Sequence, residues 1–390
     1  MEDAIAVEDG PIARFEAALE DSFVGFDTVR RWKAETGGRA LGFFPVYFPE
    51  ELAHALGFLP IRLFGAAGRV RLDSATSHTQ SFICNIARSV FQLASEGALD
   101  VFDVLMFSNI CDVARNLSGI LKRNFASKNI DYLHYPVNGT SAHAAKYLAE
   151  EYRRLGSLLS AVSAVGFDRE ELRRSIVLYN EKRDLLRKLV VLKERKPWLI
   201  PYSEFYAAMR AGGAMPVEEY TEVLARYLRM IEERQEKTMD KIRVVVLGNF
   251  CEQAPLPLMR TIEDAGCYVV RDEALLGSWW VGQVDPDGGD PLLSFAQAYT
   301  TNSTALTVRF HPRIDKQAYL LSMLKGVGVE GVIFCTPKFC EPALYDYMIY
   351  KSALDKAKIP YMHAEYEESS SSFETVRTMV ETFAESILFD

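Results

Sequence analysis

Apolar residues follow two rhythms along this chain. Short runs dense in β-branched and aromatic residues occur at 101–107 (VFDVLMF), 242–248 (IRVVVLG), 267–272 (CYVVRD) and 329–335 (VEGVIFC), each followed by helical spacing. Runs of this kind suit strands buried on both faces, and their alternation with helices predicts parallel sheets covered by helices. PEELAHALGFLPIRLFG, at 49–65, reads as a helix closed by Gly57 and then a strand from near Pro60, so the chain enters its first α/β part near residue 40. From about 138 to 237 the strand signal stops, and charged amphipathic stretches such as DREELRRSIVLYNEKRDLLRKLVVLKE at 168–194 take over. Strand character returns at Lys241 in TMDKIRVVVLGNF, and the chain closes on a helix over FETVRTMVETFAESILF.

The pattern predicts an α/β fold of two Rossmann-like parallel-sheet lobes joined by a helical segment. The expected divisions are an N-terminal helical extension (1–40), a first α/β lobe (41–137), a helical linking layer (138–240) and a second α/β lobe (241–390). A length of 390 residues is enough for more than one core without disulfide staples. No apolar run reaches the roughly 18 to 20 residues of a membrane span. The acidic start MEDAIAVEDG lacks the basic and apolar regions of a secretory signal, so the expected location is the cytoplasm and no membrane partner is expected. A net charge of −9 argues against a sequence-independent grip on nucleic-acid phosphates.

Six cysteines in such a chain are more naturally core residues, metal ligands or redox groups than disulfides. Cys111 in LMFSNICDVARNL follows a strand and opens a helix, where the dipole favours an anion such as a thiolate. Cys340 lies one short loop past the strand VEGVIFC, and Cys251 in GNFCEQ lies just past IRVVVLG, so three thiols fall at strand ends. Cys84 in TQSFICNIARSVFQLA sits near a helix beginning. By itself it reads as a small core residue; with Cys111 and Cys340 it suggests a shared site for zinc or an iron–sulfur cluster. Structural zinc favours close cysteine pairs, which are absent, so a cluster between the lobes is the better physical guess. Arg88, Arg115 and Lys338 are placed either to offset its negative charge or to face solvent.

Cys267, at a strand entry, reads as core, and Cys335, at a strand end, as core or a reserve ligand. His54 falls inside a helix; His78 immediately precedes the Cys84 helix and is the better candidate proton donor. Glu50 and Glu51 open a helix, where the dipole alone favours carboxylates. GVGVEG at 326–331 fits G-x-G-x-x-G but precedes a strand instead of joining a strand to a helix, which removes the dinucleotide reading. No P-loop motif occurs, and the Trp279–Trp280 pair is read as packing.

In order along the chain, FFPVYFPEELAHALGFLPIRLFG, QSFICNIARS, DVLMFSNICDVARN and GVIFCTPKFCEP resemble segments of the benzoyl-CoA reductase and 2-hydroxyacyl-CoA dehydratase family. The resemblance runs from about residue 40 to the C-terminus, with KFCEP after a buried strand as its most specific element. GNFCEQAPLPLMRTIEDAGCYVVRDE is similar to the reductase branch. The resemblance implies paired homologous subunits, each holding a [4Fe-4S] cluster close to an acyl-CoA thioester. By motif, Cys84, Cys111 and Cys340 would be the cluster thiolates. The fourth iron position would be open to water or substrate, or filled by Cys251 or Cys335. Glu50 and Glu51 would lie where the substrate site narrows. The implied activity is that of the smaller cluster-bearing subunit of an ATP-dependent, ferredoxin-linked benzoyl-CoA reductase, which forms a dienoyl-CoA from an aromatic acyl-CoA. ATP-hydrolysing electron-activating subunits would be separate chains, and ferredoxin the electron source. A 2-hydroxyacyl-CoA dehydratase subunit and a non-catalytic scaffold with inert buried cysteines are the alternative readings.

Overall fold

The computed structural model describes residues 10–44, 46–248, 254–273, 282–302, 314–367, 369–370 and 372–389. Cys251 and the Trp279–Trp280 pair lie outside these. Four strands, β1 (Arg39–Phe44), β2 (Phe58–Arg62), β3 (Val104–Ser108) and β4 (Ile130–Leu133), form a parallel sheet in the order β2-β1-β3-β4. Four more, β5 (Ile242–Gly248), β6 (Cys267–Asp272), β7 (Gly331–Pro337) and β8 (Tyr361–Tyr366), form a second parallel sheet in the order β6-β5-β7-β8. The two orders are the same when each sheet is counted from its own first strand. In each, the chain reverses direction of travel between the first and third strands. That reversal leaves a crevice at the carboxyl ends of those strands, where ligands bind in open α/β sheets.

The central strands are buried along their length, as β3 and β7 show, and this is why they read as unbroken apolar runs. Gly57, at φ +77°, ends the turn between the Glu50–Ala55 helix and β2 in a backbone conformation that a side chain would oppose. Gly328, at φ +63°, closes the Lys316–Val327 helix ahead of β7. The GVGVEG segment is therefore a helix-to-strand connection.

Between the sheets run the helices Ala144–Ser163, Arg169–Arg195, Tyr202–Ala211 and Val217–Glu233. The 27-residue Arg169–Arg195 helix is N-capped by Asp168, whose carboxylate accepts from the backbone N–H of Glu170 and Glu171. One core joins the first sheet to the Ala144–Ser163 helix and also takes in Phe295 and Tyr299 of the Pro291–Asn302 helix. A second core joins the N-terminal Pro11–Asp21 helix, the remaining linking helices and one face of the second sheet. Segments from both halves of the chain thus share cores, which fixes the two sheets relative to each other. Among the described residues no helix is long and apolar enough to cross a membrane.

Candidate functional site

Cys111 lies three residues beyond β3 and is the N-cap of the Asp112–Asn124 helix. Its Sγ accepts a hydrogen bond from the Ala114 backbone N–H at 3.4 Å. Cys340 lies three residues beyond β7, the corresponding strand of the second sheet, and is the N-cap of the Glu341–Ala357 helix. Cys84 is the N-cap of the Asn85–Ser95 helix, so QSFI before it is a connection and the helix starts one residue after the thiol. Three cysteines therefore stand at the electropositive ends of three helices. All three line one cavity of ≈ 1010 Å³, to which the first lobe contributes Cys84 and Cys111 and the second contributes Phe339 and Cys340.

Burial pushes the Cys111 thiol above its ordinary value, and the nearby Asp112 and Glu341 carboxylates add to that. The backbone N–H groups of Ala114 and Val113 pull in the opposite direction. A buried thiol of this kind gives up its proton most readily to a cation that takes its place. Tyr132, on β4, has a buried hydroxyl with no hydrogen-bond partner among the described residues. Burial raises it to about 12, against the pull of Arg115, and Cys111 contributes to the rise, which places the phenol in the electrostatic neighbourhood of the thiol. Phe339 adopts φ +63°, a left-handed conformation that costs a residue with a Cβ roughly 1–2 kcal/mol. This local backbone geometry immediately precedes Cys340 and helps set its direction.

Of the other expected site residues, His78 also lines the cavity. Its Nδ1 donates to the Ser74 carbonyl at 2.9 Å, leaving Nε2 as the nitrogen that can exchange a proton. Its ring stacks on Phe91 at 5.0 Å, and Phe91 in turn touches Phe125 at 5.7 Å, the residue ending the Asp112–Asn124 helix. His78 is therefore at the far end of that helix from Cys111. Glu50 and Glu51 are not on the cavity. They are buried beneath the Arg169–Arg195 helix, where Glu50 pairs with Lys182 at 3.2 Å and Glu51 with Arg183. His54 bridges Ser175 and Glu218 at 3.0 and 2.9 Å and is a satisfied structural side chain.

Cys267 and Cys335 belong to the core of the second sheet, and burial drives the Cys267 thiol up to about 12 and Cys335 higher. Lys338 is engaged by Glu367 at 2.7 Å, and Arg88 donates to Thr76 at 2.9 Å. The cation on the cavity wall is Arg123, which the sequence reading passed over. Its position three helical turns beyond Cys111 was the available signal. Phe82 and Tyr345 were also missed; both line the cavity while remaining more than half exposed.

Among the described residues no three His, Cys, Asp or Glu side chains are placed to share a single metal ion. Three thiols spread around a cavity are a soft donor set. They fit a polynuclear cluster, in which each thiolate takes a different iron, better than mononuclear zinc.

Residues 45–387 match the 2-hydroxyglutaryl-CoA dehydratase D-component family. The chain is 35% identical to a benzoyl-CoA reductase subunit of Thauera aromatica over 378 residues, covering 96% of this chain and 97% of that one. It is 28% identical to the beta subunit of the lactoyl-CoA dehydratase of Anaerotignum propionicum, over 91% of this chain and 93% of the relative. Identity to the beta subunit of the (R)-2-hydroxyglutaryl-CoA dehydratase of Acidaminococcus fermentans is 25%, over 92% and 94%. A match covering every strand but β1 and all three cavity cysteines establishes that this chain belongs to the 2-hydroxyglutaryl-CoA dehydratase D-component family.

Proposed function

We propose that the chain is a substrate-reducing subunit of an ATP-dependent, ferredoxin-linked benzoyl-CoA reductase, acting in a complex with a homologous cluster-bearing subunit and separate ATP-hydrolysing subunits. The observation that carries this reading is the convergence of three N-cap cysteines from both lobes on one cavity, in a chain most of whose length aligns with a benzoyl-CoA reductase subunit. Cys84, Cys111 and Cys340 would hold a [4Fe-4S] cluster, and Cys251 is proposed as a fourth ligand. When bound, such a cluster supplies single electrons at low potential.

The protein's own groups suit that chemistry. Helix N-termini favour the thiolate form of each ligand and, with the Ala114 and Val113 N–H groups, offset the accumulated negative charge. Phe44, Ile110 and Phe339 give the cavity apolar walls that limit water around a strongly reduced acyl group. In the placement seen here, Glu50 and Glu51 would serve by fixing their helix to the linking layer, and His78 by acting at the far end of the cavity.

A second reading, a 2-hydroxyacyl-CoA dehydratase subunit, is favoured by the near full-length matches to two dehydratase beta subunits. The two differ in net electron use. The purified complex is expected to take up electrons steadily, coupled to ATP hydrolysis, when given benzoyl-CoA. Turnover of a 2-hydroxyacyl-CoA without continuing electron uptake, and none with benzoyl-CoA, would establish the dehydratase instead.

A further inference from the structure

One face of the Asp112–Asn124 helix lines the cavity from end to end: Asp112, Asn116, Gly119, Ile120 and Arg123 recur at the spacing of a single helical stripe. At 1.5 Å per residue, Cys111 and Arg123 are about 18 Å apart along the axis. The groove is therefore elongated, with the Cys111 thiol at one end. Its other end carries charge. Arg123 is exposed, and no hydrogen bond or ion pair with another described residue engages it. The Phe91–Phe125 contact brings His78 to the same end.

Gly119 sits mid-helix, where glycine costs about 1 kcal/mol relative to alanine. Packing does not require it, because an added Cβ would meet nothing within 4 Å. Gly331 is the contrast: there a Cβ would strike the Phe383 ring at 2.6 Å. The missing side chain at Gly119 serves no contact with another described residue and keeps the groove floor open.

We propose that this helix face is the track for the phosphopantetheine arm of a CoA ester, with the arm crossing Gly119 and its phosphates meeting Arg123 and His78. An extended phosphopantetheine chain has the length of this groove, and its one strongly anionic end matches the cationic end formed, among the described residues, at Arg123. The thioester is thereby directed to the cysteine end. Arg suits the phosphate role because its planar fork pairs with two phosphate oxygens at once. This assignment rests on the acyl-CoA reading above and adds the residues that would bind the arm.

The test is direct binding, by equilibrium dialysis, of benzoyl-CoA and of S-benzoylpantetheine, which lacks the phosphates, to the assembled complex. Arg123→Gln is expected to weaken benzoyl-CoA binding by about tenfold or more while leaving S-benzoylpantetheine unchanged. Gly119→Leu is expected to weaken both esters by a similar factor, and Gly119→Ala to keep the wild-type melting temperature or raise it, showing that the helix tolerates a side chain. Wild-type affinity for both esters in Arg123→Gln and Gly119→Leu overturns the track while leaving the acyl-CoA function standing. Equal loss of both esters in Arg123→Gln overturns the phosphate assignment. A wild-type complex that binds neither ester overturns the functional reading and the track together.

Discussion

Lys193 is an ammonium group almost without water. It lies in the Arg169–Arg195 helix, 2% exposed, with Nζ donating to the Ile200 carbonyl and 5.9 Å from the Tyr202 ring centroid. Burial lowers it to about 7; Glu263 and Glu204 oppose that shift and Lys241 adds to it. In the unfolded chain the same group titrates near its ordinary 10.5. Between these values the unfolded chain binds the extra proton, so this residue's contribution makes stability rise with pH from about 7 toward 10.5, by up to about 1.4 kcal/mol per unit. Below 7 both states are protonated and the full cost of the buried charge is present. Lys193→Met removes that dependence. Denaturant unfolding at pH 7 and 8.5 should therefore show wild type losing ground to the variant at pH 7 and recovering it at 8.5. A difference between the two proteins that does not change with pH would contradict the assignment.

At the scale of elements, the Glu50–Ala55 helix shows how a short segment is held in place. From sequence its two leading carboxylates read as favourable dipole partners or as groups near the substrate. The structure pairs them with Lys182 and Arg183, adjacent residues of a helix about 130 positions away in the chain. Burial raises Glu51 despite the Arg183 guanidinium beside it, which marks a pair whose charges rely on each other. Glu51→Gln leaves Arg183 buried without its counter-charge and should cost on the order of 3 kcal/mol in unfolding measurements. Loss of activity at unchanged stability would instead return Glu51 to the chemistry.

The same scale explains what could be read in advance. β5 and β6 were legible residue for residue because their apolar runs are continuous, and the helical layer because its amphipathic stretches are long. β4 and β8 were not read as strands. Each is at a sheet edge, and Asp131, His363 and Glu365 interrupt their apolar character. β1 escaped because it opens on an exposed arginine and is interrupted by Gly42, where an added Cβ would press on Leu105 at 3.0 Å.

Across the whole molecule, two sheets of the same strand order each deliver one cysteine from the same structural position, Cys111 after β3 and Cys340 after β7. Their strand-end contexts were visible in the sequence; their meeting was not, because the two lie 229 positions apart with the entire helical layer between them. Arg123 and Gly119 escaped for a related reason, since a solvated arginine and a helical glycine acquire meaning only once a cavity is seen beside them. The claim on which the rest depends is that the three N-cap thiols hold a cluster. Iron and acid-labile sulfide content, measured on anaerobically prepared complex, tests it most directly when wild type is compared with Cys340→Ala and Cys267→Ala. Cluster-level iron and sulfide in wild type and Cys267→Ala, with loss in Cys340→Ala, is the predicted result. Equal content in the two variants, or wild-type protein without iron and sulfide, would contradict it.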